Sequence, residues 1–137
     1  MAIGSCFCNN IRIEYTGQLL ISGLCHCLDC RKLTGAPYSY NYIVKTSGLK
    51  VSGTVKEVAK TSSSDRNYFC PECGTPVFSR KEGANEDSDG VTIVRAGVFN
   101  DAILNERKPQ VEIFADMRLE WVRPVEGAEQ FGGMLDV

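Results

Sequence analysis

The seven cysteines of this chain stand in three short clusters and nowhere else: Cys6-Phe7-Cys8, Cys25-His26-Cys27-Leu28-Asp29-Cys30 and Cys70-Pro71-Glu72-Cys73. Thiols spaced by one or two residues bring their sulfurs to one side of a short backbone stretch. That arrangement suits a tetrahedral metal with Zn–S bonds of about 2.3 Å. It does not suit disulfides between neighbours, whose bridge geometry is narrow, and an odd count would leave one thiol over. The numbers divide naturally into four plus three. Four thiolates close a structural site, whereas three leave the metal an open position.

Cys6 and Cys8 can pair with Cys70 and Cys73. In an extended segment residues i and i+2 share a face, so a C-x-C element offers two thiolates together. The C-x-x-C element offers two more from a turn, and Gly74 can adopt the left-handed angles that such knuckles need. A metal there would join distant parts of the chain and be part of folding itself, at roughly 10–16 kcal/mol for structural zinc in peptides. Ordinary buried cysteines and a redox-active C-x-x-C are the alternatives.

Cys25, Cys27 and Cys30 are the place for chemistry, because a thiol entering the open position of their metal would be deprotonated outright. The thiolate is the nucleophilic form. Arg31 and Lys32 follow directly; they would offset the negative charge of a three-thiolate zinc centre or bind substrate carboxylates, or else be solvated charges beside a knuckle. Asp29 reads as a solvent-facing turn carboxylate. His26 is the only histidine. In an extended stretch its ring points away from the flanking thiolates, which favours packing or support of the ligands over ligation, although acid–base work is conceivable.

The 137 residues fit one domain with a real core, at 43% hydrophobic and 23% charged. No apolar run approaches the roughly 18 residues of a membrane span. The start enters the first cluster at once, with no room for a signal peptide, and clustered reduced thiols then point to the cytoplasm. A formal charge of −2 and a pI near 5.4 disfavour nucleic acid as a partner.

Strand signals dominate. Residues 11–15 alternate apolar and polar, and further strands are expected at 19–24, 38–44, 49–51, 55–59, 68–69, 76–79, 91–98 and 111–115. Short helical turns are expected at 31–34, stopped by Gly35 and Pro37, and at 101–105, with Asn100 or Asp101 as cap. Residues 82–90 read as an acidic loop. The expected fold class is mostly β in a single domain, residues 1–124, followed by an irregular tail, 125–137.

Three ordered motifs and an ending carry a family resemblance: Gly4-Ser5-Cys6-Phe7-Cys8; Cys25 through Gly35; Phe69-Cys70-Pro71-Glu72-Cys73-Gly74-Thr75-Pro76; and Arg118-Leu119-Glu120-Trp121. Together they resemble the glutathione-dependent formaldehyde-activating enzyme family, also called the centromere-protein-V/formaldehyde-activating domain, over about residues 3 to 124. Asn9 stands where that family often has Gly, a mild change because Asn tolerates left-handed geometry. Glu120 replaces the usual Pro before Trp121.

The resemblance implies a zinc-bearing β-tent fold, a structural zinc on Cys6, Cys8, Cys70 and Cys73, and a labile second zinc on Cys25, Cys27 and Cys30. It implies a carbon–sulfur lyase or synthase that adds the glutathione thiol to formaldehyde, with Arg31 and Lys32 as partners of the glutathione carboxylates. Thr34, Tyr38 and water are the candidates for the proton donor. The alternative is a zinc-stabilised module that binds a thiol or a protein without turnover, since family membership does not fix substrate.

Overall fold

A computed structural model describes residues 1–87 and 89–135, without the side chain of Asp101. Eleven strands and two short helices form among them: β1 Ala2–Ser5, β2 Arg12–Tyr15, β3 Ile21–Cys25, α1 Leu28–Thr34, β4 Ser39–Lys45, β5 Leu49–Ser52, β6 Lys56–Val58, β7 Asp65–Phe69, β8 Pro76–Lys81, β9 Val91–Arg95, α2 Asp101–Glu106, β10 Val111–Ile113 and β11 Glu129–Gln130. The mostly-β class expected from the alternating pattern is therefore the class that forms.

Two sheets share the strands. A small antiparallel sheet runs β1-β2-β5, and a large one runs β11-β10-β3-β4-β9-β8-β7-β6. In the large sheet only β10 pairs in parallel, with β3 on one side and β11 on the other. Alternation along each strand decides what each face carries. Ile13, Tyr15 and Leu49 of the small sheet pack on Tyr42, Val44, Val94 and Phe78 of the large one, forming the core. Tyr42, Val44 and Val94 are fully buried there.

The other face of the large sheet is polar near its centre. Ser39 and Asn41 alternate with the core-facing Tyr40 and Tyr42, and Arg95 lies opposite Asn41 in the register. Asn41 Nδ2 donates to Ser39 Oγ at 2.8 Å, and Arg95 Nη1 donates to Asn41 Oδ1 at 2.6 Å.

Several boundaries differ from the sequence reading. The helix after Cys30 begins earlier, at Leu28, because Cys27 serves as its cap. The strand expected over 91–98 ends at Arg95, and residues 96–98 form a 3-10 turn. The sequence reading had no strand at Ala2–Ser5, and the expected irregular tail contributes β11. The expected loop 82–90 includes Ser88, and the tail includes Asp136 and Val137; those three lie outside the described residues, as does capping by the Asp101 side chain. Asn100 holds the N-cap position of α2 without a side-chain hydrogen bond.

Candidate metal and thiol sites

The first thiol set lies where two hairpins meet. Cys6 and Cys8 sit in the connection from β1 to β2, and Cys70 and Cys73 in the turn from β7 to β8. All four sulfurs lie within 4.8 Å of one another. Cys6 Sγ and Cys8 Sγ are 3.6 Å apart, and Cys8 Sγ and Cys70 Sγ 3.7 Å. A tetrahedron with bonds of about 2.3 Å has ligand–ligand edges of about 3.8 Å, so the spacing fits zinc.

Local backbone holds these thiols in place. Ile11 N–H donates to Cys6 Sγ at 3.2 Å. Phe7 N–H donates to Thr75 Oγ1, which itself lies 3.1 Å from Cys73 Sγ. That hydroxyl contact, with the backbone of Thr75, pulls the Cys73 thiol down to about 5. Asn9 has φ 68° and Gly74 φ 80°, both left-handed as the knuckle reading requires, and Gly74 N–H closes its turn on Cys70 O at 2.8 Å. Ser5 Oγ donates to Asn9 Oδ1.

The second set comes from the end of β3 and the start of α1. Cys25 and His26 are buried, whereas Cys27 and Cys30 are partly open to solvent. The three sulfurs again lie within 4.8 Å of one another. Cys27 is both a thiol of the set and the N-cap of α1, since Cys30 N–H donates to its Sγ at 3.4 Å. Gly35, left-handed with φ 68°, closes the helix by bonding Arg31 O. Among the described residues no fourth His, Cys, Asp or Glu joins this set. The donor chemistry therefore fits a metal held by three thiolates, with one position left for another ligand.

The second set also shows uneven proton affinity. A hydrogen bond with Cys25 holds the Cys30 thiol well below its ordinary value, helped by Ser39 and by the positive charge of Arg95. The same bond with Cys30 pushes Cys25 up, as does burial. The polar line Arg95–Asn41–Ser39 thus ends at Cys30.

His26 turns away from the sulfurs. Its Nε2 lies 2.7 Å from Glu112 Oε1, with both side chains fully buried. Its ring meets Tyr38 edge-on at 5.4 Å between centroids, and Nδ1 has no partner among the described residues. Glu112 also accepts from Val125 N–H and Gln130 Nε2, each at 2.8 Å. Arg118 Nη2 lies 3.4 Å from Glu112 Oε1. Burial alone would raise the Glu112 carboxyl, but the hydrogen bonds from Gln130, His26 and Val125, with the Arg118 charge, hold it down at about 2.

Arg31 and Lys32 line an open cavity of about 480 Å³ together with Leu28, Pro37 and Leu119. Arg31 Nε is buried without a partner among the described residues. Asp29 is exposed and pairs with Lys60 at 2.5 Å. Thr34 Oγ1 donates to Cys30 O at 2.7 Å, which engages that hydroxyl within the helix.

Sequence reasoning missed Ser39, Asn41, Asn67, Arg95 and Glu112. For Ser39 and Asn41 a signal existed, the polar side of an alternating strand. For Glu112 the signal was one carboxylate inside a three-residue apolar strand.

With this geometry in view, the profile of the glutathione-dependent formaldehyde-activating enzyme family matches residues 1–117. The chain belongs to that family. Two fungal proteins bearing the family's name are similar to it. The one from Sordaria macrospora is 32% identical over 74 residues, covering 53% of this chain and 31% of that protein. The one from Emericella nidulans is 30% identical over 79 residues, covering 56% of this chain and 40% of that protein. The chain thus aligns with well under half the length of these curated relatives. A solved Rhodobacter sphaeroides protein shares the fold, with TM-score 0.55 and 20% identity over 94% of this chain and 98% of that chain.

Proposed function

We propose that residues 1–124 form a cytoplasmic carbon–sulfur lyase of the S-(hydroxymethyl)glutathione synthase type, adding glutathione or a similar thiol to formaldehyde or a related aldehyde. The observation that carries this reading is the convergence of three sulfurs with no fourth donor among the described residues, in a chain of the formaldehyde-activating family. Cys6, Cys8, Cys70 and Cys73 hold a structural zinc, and Cys25, Cys27 and Cys30 hold a second, more labile one. A zinc ion at the second site supplies a Lewis acid that favours the thiolate form of an incoming thiol.

The remaining work falls to the chain. The substrate sulfur bonds to the carbonyl carbon, the C=O π pair moves to oxygen, and that oxygen takes up the proton the thiol released. Arg31 and Lys32 offer positive charge to an acidic thiol beside the site. Thr34 is committed to Cys30 O, which leaves Tyr38 or a water as proton donor. His26 keeps its ring on Glu112 and thereby fixes the backbone between Cys25 and Cys27.

Formaldehyde adds to thiols unaided, so the test is a rate. Exchange spectroscopy on formaldehyde and glutathione, with and without catalytic amounts of the zinc-loaded protein, is expected to show faster interconversion with protein. An unchanged rate overturns the reading and leaves a thiol- or protein-binding module without turnover.

A further inference from the structure

Arg95 is a buried cation whose charge acts on the Cys30 thiol but which touches no carboxylate among the described residues. Its residue is 8% exposed, and its guanidinium donates to two neutral amides, Asn41 Oδ1 at 2.6 Å and Asn67 Oδ1 at 3.1 Å. Among the described residues no carboxylate lies within ion-pair distance of it. A buried charge is costly unless paired. A guanidinium carries five N–H donors in a planar fork, and each amide here takes one N–H from a terminal nitrogen that carries two.

Its surroundings point to what completes it. Arg95 lines a cavity of about 190 Å³ between α1 and the β7–β8 hairpin, with Lys32, Leu33, Asn67, Phe69 and Pro76. The cavity has two cations and apolar walls, with no acidic lining residue. On its inner side Arg95 connects through Asn41 and Ser39 toward Cys30. A small anionic group held here would belong to a molecule that also reaches the three-thiol set.

We propose that this cavity is a carboxylate subsite in which the Arg95 fork, oriented by Asn41 and Asn67 and assisted by Lys32, holds a carboxylate of the thiol substrate. The inference rests on the thiol-addition reading and deepens it, because it assigns specificity for an acidic thiol to a residue of β9. Bidentate contact between guanidinium and carboxylate is geometrically selective and roughly twice as strong as a neutral hydrogen bond. A neutral thiol reaching the same sulfurs would bring no carboxylate to Arg95. A role confined to balancing the thiolates would treat charged and neutral thiols alike.

The test compares glutathione with its diethyl ester by calorimetric titration of the zinc-loaded protein. Wild type is expected to bind glutathione about tenfold or more tightly than the ester, the scale of a charge-assisted pair. Arg95→Gln is expected to cut that preference several-fold while keeping the zinc content of wild type, the remainder belonging to the second carboxylate near Arg31 and Lys32. Asn67→Asp leaves Arg95 in place and gives it an internal carboxylate, so it too is expected to cut the preference several-fold, and it decides the matter even where Arg95→Gln fails to fold. Absence of a preference in wild type, or an undiminished one in Asn67→Asp, overturns the subsite while leaving thiol addition standing. Binding of neither compound by wild type overturns both.

Discussion

At the scale of single residues, Glu112 ties the second thiol set to the C-terminal segment. It contacts His26 between two of the thiols, Val125 and Gln130 in the closing stretch, and Arg118 before it. Removing one partner from a buried pair typically costs about 3–5 kcal/mol, because the other group is left stranded. Glu112→Gln keeps the shape, so a loss of about 3 kcal/mol in chemical denaturation is expected, along with weaker retention of metal by Cys25, Cys27 and Cys30. The pH dependence has a definite sign. The folded Glu112 carboxyl lies at about 2 against an ordinary 4.5, so its contribution is complete above about 4.5 and is lost as pH falls toward 2. The stability gap between wild type and Glu112→Gln should therefore be constant at neutral pH and narrow below about 4.5. A gap that widens on acidification would contradict this placement of the charge. Asn9 makes a second case, since at φ 68° a side chain unable to hydrogen-bond locally is strained. Asn9→Val is expected to lower stability by about 1–2 kcal/mol in denaturant titration, whereas Asn9→Gly should be close to neutral.

At the scale of elements, the small sheet meets the 3-10 turn at 96–98 through a backbone contact that admits no side chain. A Cβ on Gly4 would lie 2.1 Å from Val98 O and 2.7 Å from Val98 C. Backbone cannot yield as a flexible side chain can, so Gly4→Ala must displace β1 or the turn. A clear fall in thermal midpoint is expected, larger than the few degrees of an ordinary surface change, and an unchanged midpoint would contradict this packing. The elements also divide into those readable from sequence and those not. Alternation in Ile11 to Tyr15 and the aromatic and β-branched residues of Tyr38 to Val44 announced β2 and β4, and Gly35 announced the end of α1. Cys27 as the N-cap was hidden because its metal-ligand spacing drew the whole explanation. Strand β11 is two residues long, too short for a period to show, and β1, Ala2-Ile3-Gly4-Ser5, has no apolar–polar alternation to read. Arg95 and Glu112 gained meaning only through long-range pairing: β10 lies beside β3, which brings Glu112 and His26 together from 86 positions apart. The local pattern near either residue carries no trace of that register.

At the scale of the whole molecule, the cysteine spacing made the four-plus-three division legible, and each set of thiols does converge. The four-thiol set brings the β1–β2 connection to the β7–β8 turn, where a bound metal would fasten the small sheet to the large one. Cys70 is completely buried. Cys70→Ser is accordingly expected to leave little soluble folded protein, as seen by expression and circular dichroism. The three-thiol set instead occupies the end of one strand and the first turn of a short helix, where a lost ligand leaves both sheets joined. The two sites are expected to be unequal, one holding the fold and the other an exchangeable metal, and zinc counted per chain in purified Cys30→Ser beside wild type tells whether they are. The expected result is two zinc ions in wild type and one in a Cys30→Ser protein that remains folded; two ions retained by Cys30→Ser, or none with loss of the fold, would contradict it.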